Sequence, residues 1–325
     1  MNSATTAVDG FREALACALF PLPFTLCVGV TGHRHRGTFE MRITRWIVAA
    51  ALGFGAAGAA AHDYQSGKRS ALAFGAPWQA EIYSNFKDYT AEERAKKELW
   101  ELAHRCGGSL IAPQWVLTAA HCIDQQQVDK GYRVRLGSRD LKLQPGITYR
   151  IDRMVRHSGY DPDRHYHDIA LVHFVADQET DASRPERIKP IRLNGTDAYD
   201  APIGAGVAVS ATGWGKTAPG ADGSASAQLL QAELATAACD SAPAYRGRTT
   251  RDMLCAGAPG QDTCQGDSGG PLILSHGEPV LVGVVSWGDG CADAARPGVY
   301  VRIDRQHYLD WIGRAMADPS LNAVD

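Results

Sequence analysis

The run Asp262-Thr263-Cys264-Gln265-Gly266-Asp267-Ser268-Gly269-Gly270-Pro271 constrains this chain more than any other stretch. It sets a serine inside a glycine-rich turn. Glycine reaches backbone conformations that a Cβ forbids. Such a turn can aim several N–H groups at one point, as a developing oxyanion requires. Taken alone, a Gly-x-Ser-Gly-Gly run suits a flexible loop equally well. Its meaning depends on whether the chain also supplies a base and an acid.

A serine hydroxyl is a poor nucleophile at neutral pH and needs a base within hydrogen-bond reach. The chain offers His121 in Leu117-Thr118-Ala119-Ala120-His121-Cys122, where it ends an apolar strand beside two small residues and a cysteine. His104, His157, His165, His167 and His173 lack that setting. Imidazole can take and return a proton near neutral pH. Asp168 opens the apolar run Asp168-Ile169-Ala170-Leu171-Val172, where an unpaired carboxylate would be costly. Pairing with His121 removes that cost and fixes the imidazole tautomer. The order His121, Asp168, Ser268 is one of the orders in which such triads occur. The reverse order, Ser-Asp-His, belongs to α/β-hydrolase esterases and is not present.

These runs, with Cys106-Gly107-Gly108-Ser109-Leu110-Ile111 before them and Ser286-Trp287-Gly288-Asp289-Gly290-Cys291 after, stand in a familiar order. The chain resembles the trypsin-like (chymotrypsin-fold) serine proteases from about Pro77 to Ile312. The resemblance implies an all-β fold of two packed antiparallel six-stranded β-barrels with a C-terminal helix. It implies an endopeptidase in which Ser268 attacks, His121 shuttles the proton and Asp168 orients it. The backbone N–H groups of Gly266 and Ser268 would form the oxyanion hole. Asp262 would floor a pocket selecting a substrate Arg or Lys, with Thr263 beside it and Gln265 nearby. Gly288 and Gly298 would be its walls, and Ser286, Trp287 and Gly288 would pair with an extended substrate as an added strand. A catalytically silent homologue acting as a binding protein is the alternative. Partners implied are polypeptide substrates and protein protease inhibitors.

Eight cysteines are present, and six lie in the protease-like region. Six cysteines allow ~15 pairings, so spacing alone leaves the choice open. The resemblance implies Cys106–Cys122, Cys239–Cys255 and Cys264–Cys291. Disulfides point to an oxidising compartment. No Cys-x-x-Cys pair occurs, and His165-x-His167 has no third ligand cluster beside it, so no metal or cofactor is expected. The first-barrel loop Ser138-Arg139-Asp140 lacks the acid pair that calcium would need. A net charge of −3 gives no footprint for nucleic acid. Asn194-Gly195-Thr196 fits a glycosylation sequon.

The N-terminal part reads differently. Met41-Arg42-Ile43-Thr44-Arg45 is basic, Trp46 to Gly58 is apolar and Ala59-Ala60-Ala61 is a small-residue cleavage site. That is a secretory signal peptide over 41–61. Residues 1–40 are then an upstream extension, with Met41 as the expected start. The prolines at 21 and 23 interrupt their apolar stretch, which argues against a stable membrane span. Residues 62–76 are a polar, featureless lead-in, and 77–316 form the peptidase domain. Its first barrel is expected at about 77–190, its second at about 200–303, its terminal helix at 304–316 capped by Asp304, and a tail at 317–325.

Thr90 to Ala103 is an insertion relative to the family pattern. The capping box Thr90-x-x-Glu93 and the apolar spacing predict one short amphipathic helix there. In the family, a freshly cut N-terminal ammonium pairs with the aspartate before the nucleophile, here Asp267. No Ile-Val-Gly-Gly-like activation sequence precedes Pro77.

Overall fold

A computed structural model describes residues 15–18, 26–35, 38–43, 70–71, 75–176, 187–197, 200–218, 224–318 and 323–324. Contacts divide the chain into Met1–Tyr64 and Gln65–Asp325. In the first unit, Leu15–Ala18, Leu26–His35 and Thr38–Ile43 form an antiparallel sheet in that order. Its last strand runs through Met41, the expected start. The remainder of the expected signal peptide, 44–61, lies outside the described residues.

In the second unit, six strands make the first barrel: β1 (Gln79–Tyr83), β2 (His104–Ala112), β3 (Trp115–Thr118), β4 (Arg133–Leu136), β5 (Ile147–His157) and β6 (Ala170–Ala176). Their order is β6-β3-β2-β1-β4-β5, and pairing of β5 with β6 closes it. Six more make the second: β7 (Ala208–Gly213), β8 (Leu230–Ala237), β9 (Met253–Gly257), β10 (Pro271–Leu274), β11 (Val280–Trp287) and β12 (Gly298–Arg302). Their order is β11-β10-β7-β8-β9-β12, closed by β11 with β12. Numbered within each barrel, the two circular orders are the same. Closure removes the unpaired edges that an open sheet would expose. This is the chymotrypsin fold.

One apolar cluster centres on Leu110, Leu117, Leu136 and Val172 of the first barrel and also takes in Leu281, Val284 and Val301 of the second, while another holds Val209, Leu272, Val282 and Tyr300 of the second barrel. A helix at Gln306–Ala317 ends the domain. Its Tyr308, Trp311, Ile312 and Ala315 join the cluster that both barrels share. Losing a buried aromatic such as Trp311 to alanine costs about 3–5 kcal/mol. Arg305 is the N-cap, not Asp304. The Asp304 carboxylate instead accepts from Arg302 and from the Ile203 N–H.

The insertion is two helices rather than one: α1 (Ala91–Lys96) and α2 (Leu99–Ala103). The capping box forms at Thr90 and Glu93, but the chain turns extended at Lys97 and Glu98. Nothing on α1 is buried, so no apolar stripe holds a longer helix together. Trp100 of α2 packs on a satellite cluster of Leu141, Trp214 and Leu229.

The lead-in is not wholly featureless, since Ser70–Ala71 pairs antiparallel with Leu230–Gln231 of β8. At the tail, Ala323–Val324 pairs parallel with β5. Asn194 is buried and its amide donates to the Ala201 carbonyl, which makes the sequon a poor glycosylation acceptor. Among the described residues, no helix is long and apolar enough to cross a membrane.

Candidate active site

His121 lies in a single 3-10 turn, Ala120–Cys122, directly after β3. The Cys106–Cys122 disulfide ties that turn to β2 across a Cα separation of 6.0 Å. Asp168 precedes β6 and has no solvent exposure. Its Oδ2 lies 2.7 Å from His121 Nδ1, and its Oδ1 accepts the His121 backbone N–H at 2.9 Å. The Ser286 hydroxyl donates to the same Oδ2 at 2.6 Å.

Burial pushes the Asp168 carboxyl up. The hydrogen bond and charge of His121, the Ser286 hydroxyl and the His121 N–H outweigh burial and hold it below the usual carboxylate range. An ionised carboxylate only accepts, so His121 Nδ1 carries the proton. Nε2 is left as the basic nitrogen.

The residues before Asp168 are bent to place it. His165 and His167 both adopt left-handed backbone angles, with φ of 53° and 50°. His165 thereby comes beside His121, ring centroids 6.0 Å apart and edge to face. Its Nδ1 lies 3.9 Å from Asp168 Oδ2. Burial holds the His165 ring below its ordinary pKa.

Ser268 sits in a turn anchored to both barrels. Its carbonyl accepts the Gly107 N–H of β2 at 2.8 Å, and the Gly269 N–H donates to the Val285 carbonyl of β11 at 2.8 Å. A Cβ on Gly269 would lie 2.1 Å from the Thr118 hydroxyl, three residues before His121. The serine turn and the histidine turn are therefore packed together. Gly266 has φ +98°, a region that side chains rarely enter. Ser268 is partly exposed, and among the described residues its hydroxyl makes no hydrogen bond to His121. In unliganded sites such contacts commonly close only when substrate arrives.

Asp267 is buried beside this turn. Its carboxylate accepts the N–H groups of Gly215 at 2.9 Å and Cys264 at 2.8 Å. Asp262 is 5% exposed and accepts the N–H of Thr263 at 2.8 Å and of Ala292 at 3.3 Å. A Cβ on Gly298 would lie 2.8 Å from Asp262 Oδ1, and a Cβ on Gly288 would lie 3.8 Å from Gly298 Cα. Asp262, Thr263, Gly288 and Gly298 therefore lie side by side. Cys264–Cys291 and Cys239–Cys255 are the other two disulfides. Trp287 is partly buried between the Tyr245 ring at 5.0 Å and the Arg248 guanidinium at 4.8 Å. Gln265 is exposed, and its carbonyl accepts the Lys216 N–H.

Sequence reasoning placed Ser286 only as main chain for substrate. Its hydroxyl contact with Asp168 spans 118 positions and left no local signal. His165, one of the competing histidines in the sequence, reaches the site through its left-handed backbone.

Comparison with known proteins follows the same lines. The trypsin family model matches residues 66–312. A trypsin from Squalus acanthias is 40% identical over 226 residues, covering 66% of this chain and 86% of that protein. Human serine protease 1 is 38% identical over 220 residues, covering 66% of this chain and 81% of that protein. Human transmembrane protease serine 5 is 34% identical over 255 residues, and the chain spans 50% of its length. The structure of neuropsin, a serine protease expressed in the limbic system of mouse brain, matches with a TM-score of 0.59 and 33% identity. That match covers 76% of this chain and 98% of neuropsin. The chain belongs to the trypsin family, as a trypsin-like serine endopeptidase acting on polypeptides.

Proposed function

We propose that this is a secreted endopeptidase that cleaves after Arg or Lys through an acyl-enzyme. Ser268 Oγ attacks the scissile carbonyl while His121 Nε2 takes its proton. His121 then returns that proton to the leaving amine, and water repeats the cycle on the ester. Asp168 and Ser286 hold the imidazole in the required tautomer. The N–H groups of Gly266 and Ser268 receive the oxyanion, each contributing about 3 kcal/mol to the transition state. Protein protease inhibitors that present an extended loop would dock on Ser286–Gly288 as substrate does.

The observation that carries the specificity reading is Asp262, a carboxylate 5% exposed with Gly298 against its Oδ1 and Gly288 next to Gly298. A substrate guanidinium or ammonium supplies the charge such a group calls for. Asp262→Ser tests it. Hydrolysis of Arg and Lys peptides should fall more than a hundredfold, since a buried cation left unpaired costs about 3–5 kcal/mol. A wild-type preference for Leu or Phe in a peptide-library digest would overturn the assignment. Secretion is supported by the 41–61 segment and by three disulfides, which belong to oxidising compartments. Fractionation of the native host, with N-terminal sequencing of the exported form, tests it.

A further inference from the structure

Behind the triad acid, three groups from distant parts of the chain converge. His167 precedes Asp168, Asp252 precedes β9, and His307 opens the C-terminal helix. Each offers one ligand atom, and these atoms lie within 4.8 Å of one another. His307 Nε2 is 3.9 Å from Asp252 Oδ1. We propose that His167, Asp252 and His307 form a binding site for a divalent transition metal of the Zn2+ type.

The donor set defines the class of ion. Two imidazoles and one carboxylate suit zinc, copper, nickel or cobalt, whereas magnesium and calcium take oxygen. Zinc bonds of about 2.0–2.2 Å require the three groups to close in by roughly 1 Å. His307 is free to do so, with its side chain 47% exposed. His167 is already set. Its Nδ1 shares a 2.9 Å hydrogen bond with the Tyr308 hydroxyl, and its ring stacks on His157 at 4.7 Å. The competing cation is Arg305, whose Nε lies 3.5 Å from Asp252 Oδ1. That nitrogen is bonded to the Arg251 carbonyl at 2.9 Å, so the carboxylate is not committed to it.

The position gives the site its consequence. His167, Asp252 and Tyr308 line a small cavity that Ser286 also lines, and Ser286 holds Asp168. The ligands come from the first barrel, the second barrel and the terminal helix. A bound ion would clip these parts together and fix the bent segment that places Asp168. Anything that binds only the folded state raises its stability.

Calorimetry on the untagged full chain carrying Ser268→Ala, which stops autolysis, tests this. Zn2+ added to EDTA-treated protein should raise Tm by several degrees. The rise should disappear in His307→Ala and in Asp252→Asn, and persist in His165→Ala, which alters only the triad's other histidine neighbour. His307 is half exposed, so its loss leaves the fold intact. Co2+ should give visible absorption bands that His307→Ala abolishes. No rise in Tm, or a rise unchanged in His307→Ala, overturns the site.

Discussion

His104 holds the carbonyl oxygen of Gly266 through its Nε2 at 2.8 Å. Its Nδ1 lies 3.0 Å from Glu81 Oε1, and Arg135 Nη1 lies 3.0 Å from the other oxygen of Glu81. Glu81 and Arg135 are 1% and 4% exposed. A carbonyl and a carboxylate only accept, so both ring nitrogens donate and the imidazole is charged. Burial opposes that charge. The hydrogen bond and charge of Glu81, the Gly266 carbonyl and the nearby Asp267 outweigh it, and the pKa is raised above 6.5. A cation thus sits directly behind the turn proposed to bind the oxyanion.

The sign follows from the raised pKa. The stability that His104 contributes is fully present below about 6.5 and is lost as pH rises through the raised value. Tm should therefore fall on the alkaline side, and His104→Gln should flatten that fall while lowering Tm at pH 6. Calorimetry from pH 6 to 9 measures it. Identical slopes in both proteins would refute the charged assignment.

Ser286→Ala removes a 2.6 Å hydrogen bond to Asp168. A hydrogen bond to a charged group contributes about 1.5–3 kcal/mol, so kcat should fall at least tenfold with KM little changed. Asp168 is held below the usual carboxylate range despite burial, with Ser286 among the causes. Its contribution to stability is present above about 3.8 and is lost as pH falls through the depressed value. In Ser286→Ala that loss should begin at higher pH. Steady-state kinetics with an acid unfolding series would show both, and an unchanged kcat would remove Ser286 from the triad's support.

Gly298→Val should crowd Asp262 and block a substrate side chain from reaching it. Even the Cβ would stand 2.8 Å from Asp262 Oδ1 and 3.1 Å from the Thr263 and Tyr300 hydroxyls. Cleavage after Arg and Lys should drop more than a hundredfold, because the basic side chain loses both its room and its partner. Residual activity should shift to small side chains at the cleaved position. Competition kinetics on peptides differing only at that position read the ratio. Unaltered Arg cleavage would mean that the substrate cation binds elsewhere.

How much of this was legible in sequence depends on how each feature is encoded. His121, Asp168 and Ser268 sit in contiguous runs whose local chemistry marks them. The contacts that support them join residues far apart, as Ser286 to Asp168 and His104 to Gly266 do across 118 and 162 positions. Periodicity is silent about such pairs. Strand β9, Met253-Leu254-Cys255-Ala256-Gly257, carries no alternation to mark it, because four of its five residues are buried. The helix expected over Thr90–Ala103 breaks because charge, not apolar spacing, dominates α1. The common strand order of the two barrels is carried by pairing, and no internal repeat in the sequence announces it.

Activation is the last test. The family pattern asks for an N-terminal ammonium on Asp267, yet no matching activation sequence precedes Pro77. In the uncut chain the turn is already tied down. Asp267 accepts two backbone N–H groups, Gly266 is held by His104, and Ser268 and Gly269 bond to Gly107 and Val285. His104 is a buried cation paired with Glu81, which Arg135 also pairs, and Asp267 acts on it electrostatically. A cut after Arg69 would free Ser70, but Ser70 is paired with Gln231 at the edge of β8. The chain starting at His62 should therefore hydrolyse Arg and Lys peptides without a further cut. Lys68→Ala with Arg69→Ala, which blocks tryptic processing, should leave turnover within about twofold, a difference of roughly 0.4 kcal/mol in barrier. Active-site titration with N-terminal sequencing of the titrated species decides it. A His62-started chain that stays inert until cut at Lys68 or Arg69 would show that the turn needs the new terminus after all.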